Sequence, residues 1–210
     1  MSLYEYLQNT YPPNTPIILS DLQIEGMSDV NLRQQIKKLT DTGLLKRYDT
    51  GIYFIPGKSI FRSGTQLSCD QVIEKKYLRE NDEPCGYISG LLFANQMGLT
   101  TQVPMIYDVV TNKATTERRE TMLAKNKVIL HKPKVPVNKA NVSALQFLDL
   151  IRDVDAYAEV SDQDIQAKIR EYMMRNGIDI TKIEPYLQFY PDKVYRNLYK
   201  AGVLYGISAQ

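Results

Sequence analysis

SDVNLRQQIKKLTDTGLLKRYDTGIYFIP, residues 28–56, joins a capped helix to a hairpin, and its reading decides the first third of the chain. Ser28 stands where an N-cap belongs, Asp29 puts a negative charge in the first turn, and Gly43 stops the helix. Leu32, Ile36 and Leu39 step by four and three residues and so share one face. At about 100° per residue the opposite side carries Asn31, Gln34, Lys37 and Lys38, with Arg33 at its flank. Asparagine and glutamine can bond adenine edges, arginine can read guanine, and lysine neutralises phosphate. Taken alone, this face also fits a plain amphipathic helix with a wet side. The runs LLKRY and GIYFI then flank a DT turn ending at Gly51, which reads as a hairpin with Lys46, Arg47 and Thr50 beside its tip.

Upstream, SLYEYLQNTY spaces Leu3, Tyr4 and Leu7 as a helix ended by Pro12-Pro13, and TPIILS gives a stub strand. Ser20 is expected to cap a brief helix through Leu22 and Ile24, closed at Gly26. Three short helices followed by a hairpin form the order of a winged helix-turn-helix, in which the third helix enters the major groove and the wing reaches the neighbouring backbone. The expected DNA-binding residues are Asn31, Arg33, Gln34, Lys37, Lys38, Lys46, Arg47 and Thr50.

Bulk composition neither announces nor excludes that role. The 210 residues are 43% hydrophobic and 24% charged, an ordinary globular balance with room for a sizeable core. Net charge is +2, unevenly spread: residues 1–60 hold six cationic and six acidic side chains, residues 61–140 twelve against eight, and residues 141–210 eight against ten. No apolar run approaches the ~20 residues of a membrane span. The opening MSLYEYLQNTYPPN lacks the basic and apolar regions of a signal peptide, so a cytoplasmic protein without membrane contact is expected.

Catalytic signatures are missing as well. Cys69 and Cys85 are far apart, and His131 is the single histidine, read as structural; no zinc site is expected. No phosphate-binding loop, dinucleotide fingerprint or G-x-S-x-G elbow occurs. The expectation is a protein that is not an enzyme and takes no cofactor.

GKSIFRSGTQ, residues 57–66, is the expected boundary. Beyond it Ser68 and Gln71 make a capping box for a helix to about Arg79 that buries Val72, Ile73 and Tyr77. NDEPCG is a turn, and YISGLLFANQMG reads as a second helix with Gly90 and Ala94 four apart, closed by Gly98. QVPMIYDVV, ERRETMLA and KVILHKP are β-type runs, the first two joined by the loop TNKATT. KPKVPVNK, residues 132–139, is a proline-punctuated basic connector, read as solvated linker rather than phosphate site. Helices follow: Leu145, Leu148 and Ile151 share a face; Ser161 caps a spine of Ile165, Ile169 and Tyr172 stopped by Gly177; and Pro191 starts a helix with Val194 and Leu198, stopped by Gly202. Tyr186, Tyr190, Tyr195 and Tyr199 are expected to make a packing surface. The fold class is thus α+β: a winged helix-turn-helix over residues 1–60, then residues 61–210, mixed α/β over 61–137 and helical over 141–210.

GYISGLLFANQMGLTTQVP, residues 86–104, together with LTDTGLLKRYDTGIYFIP, residues 39–56, resembles the AbiEi antitoxins of bacterial type IV toxin–antitoxin systems. The similarity spans residues 1 to about 150. Its second-half motif is carried here by Ser89, Gly90, Ala94, Asn95, Gly98, Leu99, Thr100, Gln102, Val103 and Pro104. The resemblance implies a winged helix that represses its own operon by binding double-stranded promoter DNA. It also implies a second part that counters a nucleotidyltransferase-like toxin encoded nearby, within phage defence, by contacting either the toxin or the toxin's target. Residue chemistry alone reads the motif as a helix stop feeding a strand, a matter of fold more than of toxin contact. A winged-helix regulator or interaction module with no toxin partner is the competing expectation.

Overall fold

The computed structural model describes residues 1–58 and 64–204. It is a mixed α+β chain with eight α-helices and three sheets among the described residues. Two compact units divide it, Met1–Lys76 and Tyr77–Gln210.

In the first unit, α1 (Leu3–Thr10) opens with a reciprocal cap: Ser2 Oγ accepts from the Glu5 amide and Glu5 Oε2 from the Ser2 amide. The stub strand β1 is Ile17–Ile18. The brief helix expected from Ser20 is only a 3₁₀ turn, Leu19–Asp21, with Ile18 at its N-cap position and no side-chain cap. The Ser20 hydroxyl donates to Asp21 Oδ1 instead, and the backbone is extended again at Leu22, so no second turn is built. Gly26, at φ +75°, takes the chain round to Ser28, whose hydroxyl oxygen caps α2 (Asp29–Asp41) by accepting from the Asn31 amide at 3.3 Å. Strands β2 (Lys46–Asp49) and β3 (Ile52–Phe54) form the hairpin, and β3 pairs with β1 to give the antiparallel order β1-β3-β2. One core gathers Leu3, Leu7, Ile17, Leu22, Leu32, Ile36, Leu45 and Ile55.

The Gly/Ser-rich connector expected over residues 57–66 lies partly outside the described residues. Past it, the Gly57 amide donates to Thr65 Oγ1, and Ser68 and Gln71 close the capping box of α3 (Cys69–Ile73). Gln71 also reaches back to the Asn14 carbonyl, which ties this helix to the start of its own unit. Val72, Ile73 and Tyr77 are buried. The helix continues as a π-helical turn, Glu74–Leu78, and the division between the units falls inside it.

The second unit begins with a small hairpin, β4 (Arg79–Glu80) and β5 (Glu83–Pro84), turned at Asn81 and Asp82. YISGLLFANQMG is then not one helix. Gly86–Ser89 is strand β6, and α4 covers only Gly90–Gln96. Tyr87 and Ile88 pair with Val110 and Val109 of β7 (Ile106–Thr111), and Gly90 at φ +65° makes the break that leads into the helix. Strands β8 (Arg118–Leu123) and β9 (Asn126–His131) complete a sheet of order β6-β7-β9-β8, with β7 and β9 parallel and the other pairs antiparallel.

Helix α5 (Val142–Tyr157) is buried on most sides and packs against β6, α4, α7 (Ile180–Leu187) and α8 (Lys193–Lys200). Helix α6 (Asp162–Arg175), capped by Ser161, sends Ile169 and Tyr172 into the same core. There the Tyr172 ring stacks 6.3 Å from Phe147 and meets Phe93 edge-on at 5.5 Å. Burial pushes the Tyr172 phenol up to about 12. Of the tyrosines expected to pack together, Tyr190 is buried and Tyr186 half-buried, whereas Tyr195 and Tyr199 are exposed.

Candidate functional site

Burial of Leu32 and Ile36 under α1 and the small sheet fixes which side of α2 faces water. That side holds Asn31, Arg33, Gln34, Lys37 and Lys38, all exposed. Among the described residues nothing pairs with the charges of Arg33, Lys37 or Lys38. Asn31 is engaged, its Oδ1 accepting from Gln35 Nε2 at 3.2 Å. Two further residues share the face at four-residue spacing: Val30, 67% exposed, precedes Gln34, and Asp41 follows Lys37. Val30 escaped the sequence reading because a β-branched residue beside a helix cap is ordinarily counted toward the core. In solvent it is the type of group that meets a thymine methyl.

The hairpin residues separate. Lys46 and Arg47 are adjacent on β2 and therefore point to opposite faces. Arg47 is exposed and folds over the turn, its Nε donating to the Asp49 carbonyl and its Nη2 to Thr50 Oγ1 at 2.9 Å. Half-buried Lys46 lies over Gly64, where an added β-carbon would come within 2.5 Å of its Nζ. The turn itself is pinned, because the Leu19 amide donates to the Gly51 carbonyl. Five of the expected residues thus share a helix face, Arg47 and Thr50 form one cluster, and Lys46 turns the other way.

The motif of the second unit falls in two places. Asn95 Nδ2 donates to the carbonyls of Thr100 and Gln102, and Gly98, at φ +68°, ends α4. Glu159, far along the chain, accepts from Thr100 Oγ1, the Thr101 amide and hydroxyl, and Gln102 Nε2. These bonds, the one from Gln102 first, hold its carboxyl down at about 2. The loop so tied carries half-buried Pro104 between Val103 and Met105, which are 80% and 86% exposed. A depressed carboxyl stabilises the fold above its unfolded value, near 4.3, and the contribution is lost as pH falls toward about 2. A carbon-detected NMR titration of Glu159 is expected to give a midpoint well below 4.3, and a midpoint at that ordinary value would show the four donors to be absent in solution.

Ser89 and Gly90 instead line a cavity of about 310 Å³ within the second unit. Gly90 is required twice over: φ is +65°, and a β-carbon would lie 2.8 Å from Asp108 Oδ2. Asp108 Oδ1 in turn lies 3.0 Å from His131 Nε2. Deeper, buried Asp149 accepts from the Tyr87 hydroxyl at 2.7 Å and from Arg152 Nη1 at 2.8 Å, while Arg152 also meets Asp153 and Asp153 meets Lys193. Burial raises the Asp149 carboxyl above the aspartate range, although Arg152 and Tyr87 pull the other way. Burial likewise drives the Tyr87 phenol far up. The single histidine, read as structural, therefore sits in a charged cavity that no local spacing marks. Among the described residues no group of three His, Cys, Asp or Glu is arranged to hold a metal ion, and no helix is long and apolar enough to cross a membrane. Cys69 and Cys85 are buried, and the Cys85 thiol donates to the Tyr77 carbonyl at 3.5 Å.

No protein-family model matches the chain, and no curated protein matches it.

Proposed function

We propose that the chain is a DNA-binding regulator whose first unit is a winged helix-turn-helix with α2 as its reading helix and β2–β3 as its wing. In this reading it represses its own operon. Its second unit acts as the antitoxin against a nucleotidyltransferase-like toxin encoded nearby, as the resemblance to the AbiEi antitoxins implies. One observation carries the DNA reading: α2 presents Arg33, Lys37 and Lys38, three cations with no partner among the described residues, on the same outward face as Gln34 and Asn31. Such a face gains little from the fold and much from a polyanion. A 3₁₀ turn stands in place of a full second helix, and the Leu19 amide within it holds the hairpin tip at Gly51. For the antitoxin role, the support is the loop at Val103–Met105, whose apolar side chains are held out in water by bonds to Asn95 and Glu159. Exposed apolar groups on an ordered loop favour a protein partner.

The test is anisotropy with duplexes from the promoter upstream of the gene, titrated against salt. Each phosphate neutralised adds about 0.9 to the slope of log affinity on log salt. The variant R33A/K37A/K38A is expected to bind every duplex more weakly, with a slope shallower by about 2.7. Gln34→Ala is expected to lose preference between promoter and random duplex by about 1–3 kcal/mol, the worth of a bidentate base contact. An unchanged slope in the triple variant would remove α2 from the interface.

A further inference from the structure

We propose that the cavity of the second unit is a binding site for a small hydroxylated phosphomonoester, a sugar phosphate or a nucleoside monophosphate. This inference is independent of the DNA-binding reading and rests on how charge is layered through the cavity. At its floor both oxygens of Asp149 are occupied, one by Tyr87 and one by Arg152, and the Arg152–Asp153–Lys193 chain balances the remaining charge. An ion-pair chain of this kind costs desolvation and is weak support for stability, so its place at a cavity points to use.

Asp108 makes one wall. It is pressed against Gly90, the one residue type that leaves room for its carboxylate, and it has His131 at 3.0 Å from one oxygen. Its side chain is 29% exposed, so a carboxylate acceptor is open to the cavity. Ligand groups that suit it are donors, namely hydroxyls.

The rim supplies the opposite chemistry. After β9 the chain runs along the cavity through His131, Lys132, Pro133 and Lys134. Pro133 fixes the backbone between the two lysines. Both lysines are exposed, and neither ammonium has a partner among the described residues. Glu117 is the one carboxylate at that end, and its carbonyl accepts from the Lys132 amide. Two free ammoniums beside an imidazole offer donors to a phosphate, and the Asp108 carboxylate in the wall behind them takes hydroxyls. A volume of about 310 Å³ is of the size that holds one small molecule. The basic connector that reads as solvated linker in the sequence is, in the fold, one side of this site.

Calorimetric titration of the full chain with ribose 5-phosphate, with each of the four ribonucleoside 5′-monophosphates and with inorganic phosphate tests the assignment. At least one hydroxylated probe is expected to saturate at one equivalent with a Kd below about 1 mM. Saturation by ribose 5-phosphate as strong as by any nucleotide identifies a sugar-phosphate site, whereas preference for one base identifies a nucleotide site. K132A/K134A changes two exposed side chains and is expected to fold normally while weakening that binding about tenfold or more. Asp108→Asn is expected to bring the hydroxylated probe down to the affinity of inorganic phosphate. Absence of saturation by every probe overturns the proposal. So does binding that K132A/K134A leaves unchanged, or inorganic phosphate binding as tightly as the hydroxylated probes.

Discussion

Truncating Ile36 to alanine is expected to unfold much of the first unit under conditions where the second remains folded. The side chain is 1% exposed and lies in a core that holds Leu3, Leu7, Leu32 and Leu45. Removing a buried isoleucine of this kind costs about 2–5 kcal/mol, the spread reflecting how far the site collapses. A unit of this size is stable by only about 4–11 kcal/mol, so the loss takes a large share of what exists. Hydrogen exchange reads the result directly: amides of α2 should lose most of their protection, while those of α5 keep theirs. Ile36→Val, expected to cost about 0.5–1.5 kcal/mol, serves as the mild control. Equal protection of α2 in the parent and the alanine variant would mean that this core is not what holds the helix.

A comparable loss is expected in the second unit from Asp149→Ala. Only 6% of Asp149 is exposed, and its removal takes an acceptor from the Tyr87 hydroxyl and from one arm of the Arg152 guanidinium in a buried site. Breaking a buried pair from one side costs about 3–5 kcal/mol because the surviving charge stays desolvated. Asp149→Asn keeps an acceptor for Tyr87 and should cost less. The two variants also differ from the parent in pH dependence. A carboxyl whose pKa is raised by burial binds its proton more tightly when folded. Its contribution is therefore fully present below the unfolded value of 3.8 and is lost as pH rises through the folded one. In denaturant melts, the stability of the parent relative to Asp149→Asn, which shares every other carboxyl, should therefore fall as pH rises above 3.8. A loss below about 1 kcal/mol for Asp149→Ala would place the residue outside the ordinary range for a buried pair.

Local signals account for what was legible in the sequence. Ser28, the four-and-three spacing of Leu32, Ile36 and Leu39, and Gly43 all lie inside one window, and α2 follows from them. Strands β7 and β9 are readable from their β-branched runs, whereas β8 has Thr121 as its single β-branched residue. The Ser20 helix failed because a cap residue is only permissive, and the chain after it has no reason to keep turning. Strand β6 was hidden because what makes Tyr87 and Ile88 extended is their pairing with Val110 and Val109, well downstream. Helix α7 falls in the stretch expected to be helical but has no signal of its own: it has eight residues and carries Pro185 inside, yet Asp179 caps it and Ile183 and Leu187 bury it.

The sites divide in the same way. The outward face of α2 follows from its own periodicity, so its polar residues could be named in advance. No window contains the cavity, which takes residues from β6, β7, the exit of β9 and α5. Nor does one contain Glu159 with the loop it holds, since 57 residues separate it from Gln102.

The strand order also bears on how the sheet can be assembled. Strand β9 lies between β7 and β8, so β7 emerges long before its parallel neighbour exists, and the strand that follows it belongs at the far edge. Pairing of Leu123 with Asn126 leaves only Ala124 and Lys125 in the turn, with Ala124 at φ +52°. Such a hairpin closes locally in about 1–10 μs. The β8–β9 ribbon can therefore form first and attach to β7 as a finished piece. Asp108 and His131 lie on the two strands of the parallel pair, so this wall of the cavity exists only where β9 is docked on β7.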